Sequence, residues 1–434
     1  MAAAGLEWLL CLGCSRWAWK RLAYVGAYDS AAWPQATAEE LEPASRVCRV
    51  VLAVYQDDLA NPTYAPAGGY RMDSSGVVKR VPYDQIPDGR CPPYLIYVDR
   101  EHKEVVLAVR GLNLVRDSDY KVLLDNRLGQ QMFDGGFVHH GLLRAATWLL
   151  NREADTLLDL WLELGSEYKL VFAGHSLGSG IAALMTIIVV NHRDQFGGIP
   201  RSQIRCYAIA PARCMSLNLA VKYADVINSV ILQASVTDLD SLPCFLCLVC
   251  MRDTFIPEKR KLKDPRRLYA PGRIYHIVER KFCRCVRYPP EVRTAIPVDG
   301  RFEHIVLSCS TTSDHAIVWI EREAQKALDL LKDTEPKTAP PEQKMSRKLS
   351  LEQEHKNALE RAVTLYVPQA VVAATGDHSE VTGAAPSQGQ EGATSSNGSK
   401  SSCRTNWDEL VDKLFTRNES GNLDLKKDMN TVDG

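Results

Sequence analysis

The chain has 434 residues, 45% of them apolar and 24% charged, and a formal net charge of −1. That length and balance suit one large α/β domain with tails, and the near-zero charge argues against bulk attraction to nucleic acid. No apolar run reaches the ~18 residues that a membrane-crossing helix needs.

Residues 1–30 crowd Leu6, Trp8, Leu9, Leu10, Cys11, Leu12, Trp17 and Trp19 beside Arg16, Lys20 and Arg21. The mixture predicts an amphipathic helix, lying either at a membrane interface or against the folded domain. No basic stretch precedes a clean apolar one, which argues against a secretory signal. Cys11 and Cys14 are suited to S-acylation. The thirteen cysteines are odd in number and lie mostly in apolar or basic stretches, so they read as reduced thiols of a cytoplasmic protein. Neither the C-x-x-C at 11–14 nor the C-x-x-C-x-x-C run at 244–250 has the surroundings of a metal site, and no metal or cofactor is expected.

A Pro/Ala/Glu-rich connector precedes a predicted helix over Val47–Leu59, and residues 61–93, rich in Pro and Gly, read as loop. Tyr94–Asp99 and Glu104–Gly111 read as a β-hairpin ending in Arg-Gly-Leu-Asn. The polar residues 112–139 are expected to cover a site or form a lid. A long helix follows from Leu142 to about Leu164, then an apolar strand, a tight turn and a helix over 168–191. Strands are predicted at Ile204–Ala210, Asn228–Gln233, Ile274–Glu279 and Phe302–Ser308, with a short helix at Leu217–Tyr223. Residues 252–287 hold twelve Lys/Arg against four Asp/Glu, directly after the apolar run Pro243–Met251. The pair reads either as a patch facing anionic lipid or as a buried segment followed by a solvated loop. Without interleaved aromatics it does not read as a nucleic-acid surface. A helix capped by Ser313 or Asp314 runs to about Leu331. Beyond 334 come a solvated amphipathic helix at Met345–Val367, a low-complexity stretch at 375–402 and a short helical motif at Asn406–Phe415. The expected domains are an N-terminal helical extension over 1–60, the α/β domain over 61–333 and a tail over 334–434.

The chemistry gathers at Gly174-His175-Ser176-Leu177-Gly178, a G-x-S-x-G sequence between an apolar strand and a helix of small residues. That is the pattern of a nucleophile elbow, in which a strained turn pushes the serine hydroxyl out of the sheet. The positions two before and two after the serine crowd one another, and both are glycine. A serine hydroxyl needs a base, the base an orienting acid, and the developing oxyanion two N–H donors. In an α/β-hydrolase fold, with its mostly parallel central sheet, the chain order is Ser, Asp/Glu, His. Ser176 supplies the nucleophile. His315, between the last strand and last helix, is the expected base, preferred over His304, which sits inside a strand pattern, and over His175. The acid belongs after the strand ending at Gln233, where Asp238 and Asp240 both qualify. Asp225 precedes that strand and does not. The expected oxyanion donors are the main-chain N–H groups of Leu177 and Leu112.

Several segments together resemble the plant class 3, fungal-lipase-like lipases, in the group that looks like diacylglycerol lipases and is also labelled calmodulin-binding heat-shock protein. They are C-L-G-C-S-R-W-A-W-K-R at 11–21, V-V-L-A-V-R-G at 105–111, G-H-S-L-G-S-G at 174–180, D-P-R-R-L-Y-A-P-G-R at 264–273, V-D-G-R-F-E-H-I-V-L-S at 298–308 and S-D-H-A-I at 313–317. The resemblance spans roughly residues 5–330. It implies an α/β-hydrolase fold, hydrolysis of mono- or diacylglycerol esters, His315 as base, and a calmodulin contact at 16–21 or 345–367. One segment departs from the group. After Gln233 the group carries an Asp-Asp-Phe-Leu-Pro-Arg type sequence, whereas this chain reads A-S-V-T-D-L-D-S-L-P. The family's acid is therefore not carried over, and Asp238 and Asp240 stand by position alone. The expected function is a serine lipase or esterase acting on acylglycerol at a membrane surface. Its rival is a catalytically impaired hydrolase fold serving as a calmodulin- or membrane-binding module.

Overall fold

The computed structural model describes residues 30–113, 115–125, 132–233, 266–279, 288–298, 315–334, 341–365, 415–417 and 423–425. An eight-stranded sheet organises them, with β1 (Val77–Val81), β2 (Tyr94–Asp99), β3 (Glu104–Val109), β6 (Lys169–His175), β7 (Ile204–Ile209), β8 (Ile227–Gln233), β9 (Arg273–Val278) and β10 (Glu291–Ala295) side by side in that order. The five strands from β3 to β9 run parallel, and antiparallel pairs close both edges. Short β4 (Met132–Phe133) and β5 (Gly136–Phe137) pair separately. With helices on both faces, this is the mostly parallel α/β-hydrolase architecture.

The strands alternate between two cores, as the two-residue strand period requires. Ile96, Leu107, Leu170, Phe172 and Cys206 face α3 (His140–Leu164) and α4 (Leu177–Asn191). Leu95, Val106, Ala108, Val171 and Ile209 face α1 (Ala38–Ala53) and α6 (Ile317–Thr334). Because both faces are covered, the central strands read as near-continuous apolar runs.

Several elements differ from the sequence expectation. The helix expected over Val47–Leu59 begins nine residues earlier and ends at Ala53. Thr37 and Glu40 form a reciprocal capping box at its start, and Pro43 is accommodated within it. The loop expected over 61–93 contains β1, an edge strand ended by Pro82, and Lys79 ties it to the buried carboxylate of Glu153 on α3 at 2.7 Å. β10 is a further edge strand that its mixed polarity hid. Within 112–139 stand α2 (Asp117–Leu124) and the β4–β5 pair. A short α5 (Leu217–Lys222) precedes β8.

The amphipathic helix expected at Met345–Val367 is α7 (Pro341–Thr364), which docks on the domain rather than standing free. Arg347 pairs with Glu40 at 2.7 Å and Glu354 with Arg273 at 2.8 Å. The strand expected at Phe302–Ser308, the cap at Ser313 or Asp314, the low-complexity stretch and both cysteine clusters lie outside the described residues. So do the N-terminal helix over 1–29, most of the basic stretch and all of Asn406–Phe415 except Phe415. Among the described residues Cys48, Cys91, Cys206 and Cys214 are free and buried, and no helix is long and apolar enough to cross a membrane.

Candidate active site

β6 enters the sheet centre and stops at His175, and α4 starts at Leu177. Ser176 between them takes φ 52° and ψ −116°, a left-handed conformation that a side-chain-bearing residue adopts only under strain. Two glycines permit the turn. A Cβ on Gly174 would stand 2.2 Å from the carbonyl oxygen of Gly178, while one on Gly178 would stand 2.4 Å from the carbonyl oxygen of Arg110. The first contact is the mutual crowding of the pattern, but the second is with the chain leaving β3. Gly178 is thus required by the sheet next door. The main-chain N–H of Ser176 donates to Ile209 at 2.9 Å, which anchors the turn to β7.

His315 lies two residues before α6 and reaches back over the sheet. Its Nε2 is 2.7 Å from Ser176 Oγ. Burial holds its imidazole below the ordinary histidine range, so the ring is neutral and able to accept a proton near neutral pH. Asp238, Asp240 and the rival His304 lie outside the described residues. Asp225 is bound to Arg201 at 2.6 Å on the surface.

His175 makes ring contacts of its own, apart from the Ser176 hydroxyl. Its Nε2 is 2.7 Å from the main-chain oxygen of His315, and its Nδ1 is 2.7 Å from the hydroxyl of Tyr55, just beyond α1. That hydroxyl accepts the N–H of Gly111 at 2.8 Å. Burial, helped by the neighbouring His315, pushes His175 down to about 3 and burial pushes Tyr55 up to about 12, so both stay neutral.

The loop after β3 has a specific pattern of used and unused amides. Gly111 N–H is held by Tyr55, and Asn113 N–H is held by the buried carboxylate of Asp119 at 2.8 Å. Asp119 also accepts from Tyr83, which in turn receives Arg110 at 2.8 Å. Arg110 lies 4.7 Å from the Tyr55 ring centre. Among the described residues, the amides of Leu112 and Leu177 have no partner. Tyr55, Tyr83, Arg110 and Asp119 were invisible as site residues in the sequence. Their partners lie up to 120 residues away, and none carries a local pattern.

Residues 106–246 match the family model for lipase (class 3), and residues 5–72 match that for the lipase 3 N-terminal region. Diacylglycerol lipase-beta of Mus musculus is 31% identical over 164 residues, covering 35% of this chain and 23% of that protein. Diacylglycerol lipase-alpha of Homo sapiens is 26% identical over 149 residues, covering 32% of this chain and 14% of that protein. The chain thus spans less than a quarter of these relatives. Among solved structures, a Rhizomucor miehei triacylglyceride lipase aligns at 15% identity and TM-score 0.40, covering 61% of this chain and 87% of that one. A triacylglycerol lipase described as having a serine protease triad aligns at 15% identity and TM-score 0.43, covering 65% and 95%. Over residues 106–246, about a third of its length, the chain is thus similar to the class 3 lipases.

Proposed function

We propose that the protein is a carboxylic ester hydrolase acting on acylglycerols, mono- or diacylglycerol, at a lipid surface. The observation that carries it is the 2.7 Å contact between Ser176 Oγ, on a strained elbow, and a neutral His315 Nε2, within a chain that matches class 3 lipases. In this mechanism His315 takes the hydroxyl proton as Ser176 attacks the ester carbonyl. The oxyanion accepts from the Leu177 and Leu112 amides. His315 then protonates the leaving alcohol, and water repeats the cycle on the acyl-enzyme. Asp238 or Asp240 orients the imidazole through its Nδ1–H. Membrane-surface action is supported by exposed Val115 and Leu124, at 87% and 76%, on the segment after Leu112. The expected setting is the cytoplasm with peripheral membrane association.

Turnover of monooleoyl- and dioleoylglycerol vesicles and labelling by a fluorophosphonate test this reading. Ser176→Ala should abolish both. Asp238→Asn and Asp240→Asn, made separately, should identify the acid by a loss of about 10⁴-fold in one of them. Equal labelling of wild type and Ser176→Ala removes the proposal.

A second reading, an impaired hydrolase fold that binds calmodulin, is favoured by α7. Its exposed Met345, Leu349, Leu359 and Val363 recur at helical spacing on one side, beside Lys348 and Lys356. Calcium-dependent calmodulin binding without ester turnover would establish it, and strong turnover lost in Asp240→Asn would remove it.

A further inference from the structure

We infer that Tyr55 and His175 are positioning residues that lock the base histidine's main chain to the oxyanion loop, so that the N-terminal region supplies a working part of the active site. The inference rests on reading Ser176 and His315 as nucleophile and base. It begins with hydrogen-bond polarity. The His315 carbonyl can only accept, so His175 Nε2 carries the hydrogen and its Nδ1 is a bare acceptor. Tyr55 must therefore donate its O–H to that Nδ1. The phenolic oxygen's remaining lone pairs accept the N–H of Gly111. Every group in the series Gly111–Tyr55–His175–His315 has one role, and the roles are mutually enforcing.

The series joins four segments distant in sequence. Gly111 lies two residues beyond β3 and precedes Leu112, His175 precedes Ser176, Tyr55 follows α1 and His315 precedes α6. A shift of any one is felt by the other three. The packing leaves no slack, because a Cβ on Gly111 would stand 2.6 Å from the Tyr55 hydroxyl and 2.7 Å from His175 Nδ1. A second tie runs parallel to it. Buried Arg49 of α1 pairs with Glu321 of α6 at 2.9 Å, so the helix leading to Tyr55 and the helix following His315 are bolted together. The His175 and His315 rings approach to 5.0 Å between centres without sharing a proton path, since the contact is to the main chain. His175 is accordingly a prop for His315 and takes no part in proton transfer.

The test compares wild type with Tyr55→Phe, His175→Gln, His175→Leu and Gly111→Ala in the full chain. Gln can present an N–H to the His315 carbonyl and an oxygen to Tyr55, whereas Leu can do neither. Tyr55→Phe and His175→Leu should slow fluorophosphonate labelling of Ser176 and lower kcat by about ten- to a hundredfold, with KM little changed. His175→Gln should stay within about threefold of wild type, and Gly111→Ala should resemble Tyr55→Phe. Rates equal to wild type in Tyr55→Phe, or His175→Gln as slow as His175→Leu, overturn the inference. Nitrogen-15 histidine spectra from about pH 5 to about pH 9 supply a readout independent of turnover. One ring should stay in the neutral Nε2–H form throughout and change on Tyr55→Phe. If wild type neither labels nor turns over, the ester hydrolase reading fails by itself. The spectra then decide the locking contact, and a His175 ring that titrates in that range or ignores Tyr55→Phe overturns it.

Discussion

The helix behind Ser176 and the last described helix are held by opposite means. α4 is buried continuously from Leu177 to Val190, with α3 on one side and the sheet on the other. Gly178 lets it approach backbone directly, and Gly180 makes room for the Leu142 side chain. α7 meets the domain through Lys344–Glu39, Arg347–Glu40 and Arg273–Glu354, with Ala358 the one fully covered side chain between 344 and 365. Volume and backbone contact fix the first helix, and charge pairs reaching from a solvent-facing helix to the domain surface, one of them onto buried Arg273, fix the second. Close-packed interiors tolerate little added volume, whereas exposed ion pairs contribute about 0–1 kcal/mol each. Substitutions should therefore act nearly all-or-none around α4 and by small, salt-sensitive steps at α7.

The largest stability effect should come from Gly178→Ala. The new methyl would meet the carbonyl oxygens of Arg110 and Val109 at 2.4 and 2.5 Å, main-chain atoms that cannot step aside. Loss of about 3 kcal/mol or more, or failure to fold, is expected in urea unfolding. A loss of under about 1 kcal/mol would show that the elbow yields, contrary to its contrast with α7. Breaking the buried pair with Arg49→Met should come next, at about 3–5 kcal/mol, because it strands the Glu321 carboxylate. The same unfolding measurement checks it, and Glu321→Gln added to Arg49→Met should recover part of the loss.

The same contrast explains what could be read in advance. The elbow is local: five consecutive residues between an apolar strand and an apolar helix announce it, and the parallel strands around it are buried on both faces. Chain order restricts where a nucleophile and its base may stand, which is why Ser176 and His315 can be proposed from the sequence. α1 begins nine residues before the predicted helix because Pro43 interrupts the local helical pattern, although the three-residue spacing of Thr37 and Glu40 is a capping signal. β1 was missed because an edge strand buries little and shows almost no alternation. Tyr55 had no signal at all. A lone tyrosine after a helix becomes a site residue only when tertiary packing brings His175 and Gly111 to its hydroxyl.

A middle-sized effect should appear as pH dependence. His175 is ordinary in the unfolded chain, near 6.5, and held at about 3 in the fold by burial. Its folded form binds fewer protons, so its contribution to stability is complete above about pH 6.5 and is lost as pH falls toward about pH 3. At about pH 5 the loss relative to about pH 8 is about 2 kcal/mol. His175→Gln has no such group, so its unfolding free energy should fall less than wild type's over the same interval, with the difference close to that amount. His315 is also shifted down by burial, so the acidic limb of kcat/KM should lie below 6.5.

The smallest effect belongs to α7. Arg347 is about a quarter exposed and forks onto Glu40, which already serves the Thr37 capping box. Arg347→Ala removes the fork but leaves the box, so α1 keeps its start while α7 loses one tether. The expected cost is at most about 1 kcal/mol, shrinking further in high salt. Glu40→Ala loses the tether and the Glu40 side-chain half of the box, while the Thr37 hydroxyl still accepts the residue-40 N–H, and should cost about 0.5 kcal/mol more, with a part that salt does not remove. Hydrogen exchange along α7 separates the two variants. Arg347→Ala should loosen α7 and leave α1 protected, while Glu40→Ala should loosen both. If Arg347→Ala loosens α1 equally, the two helices form one cooperative unit, and the division between a helix fixed by packing and a helix fixed by charge gives way.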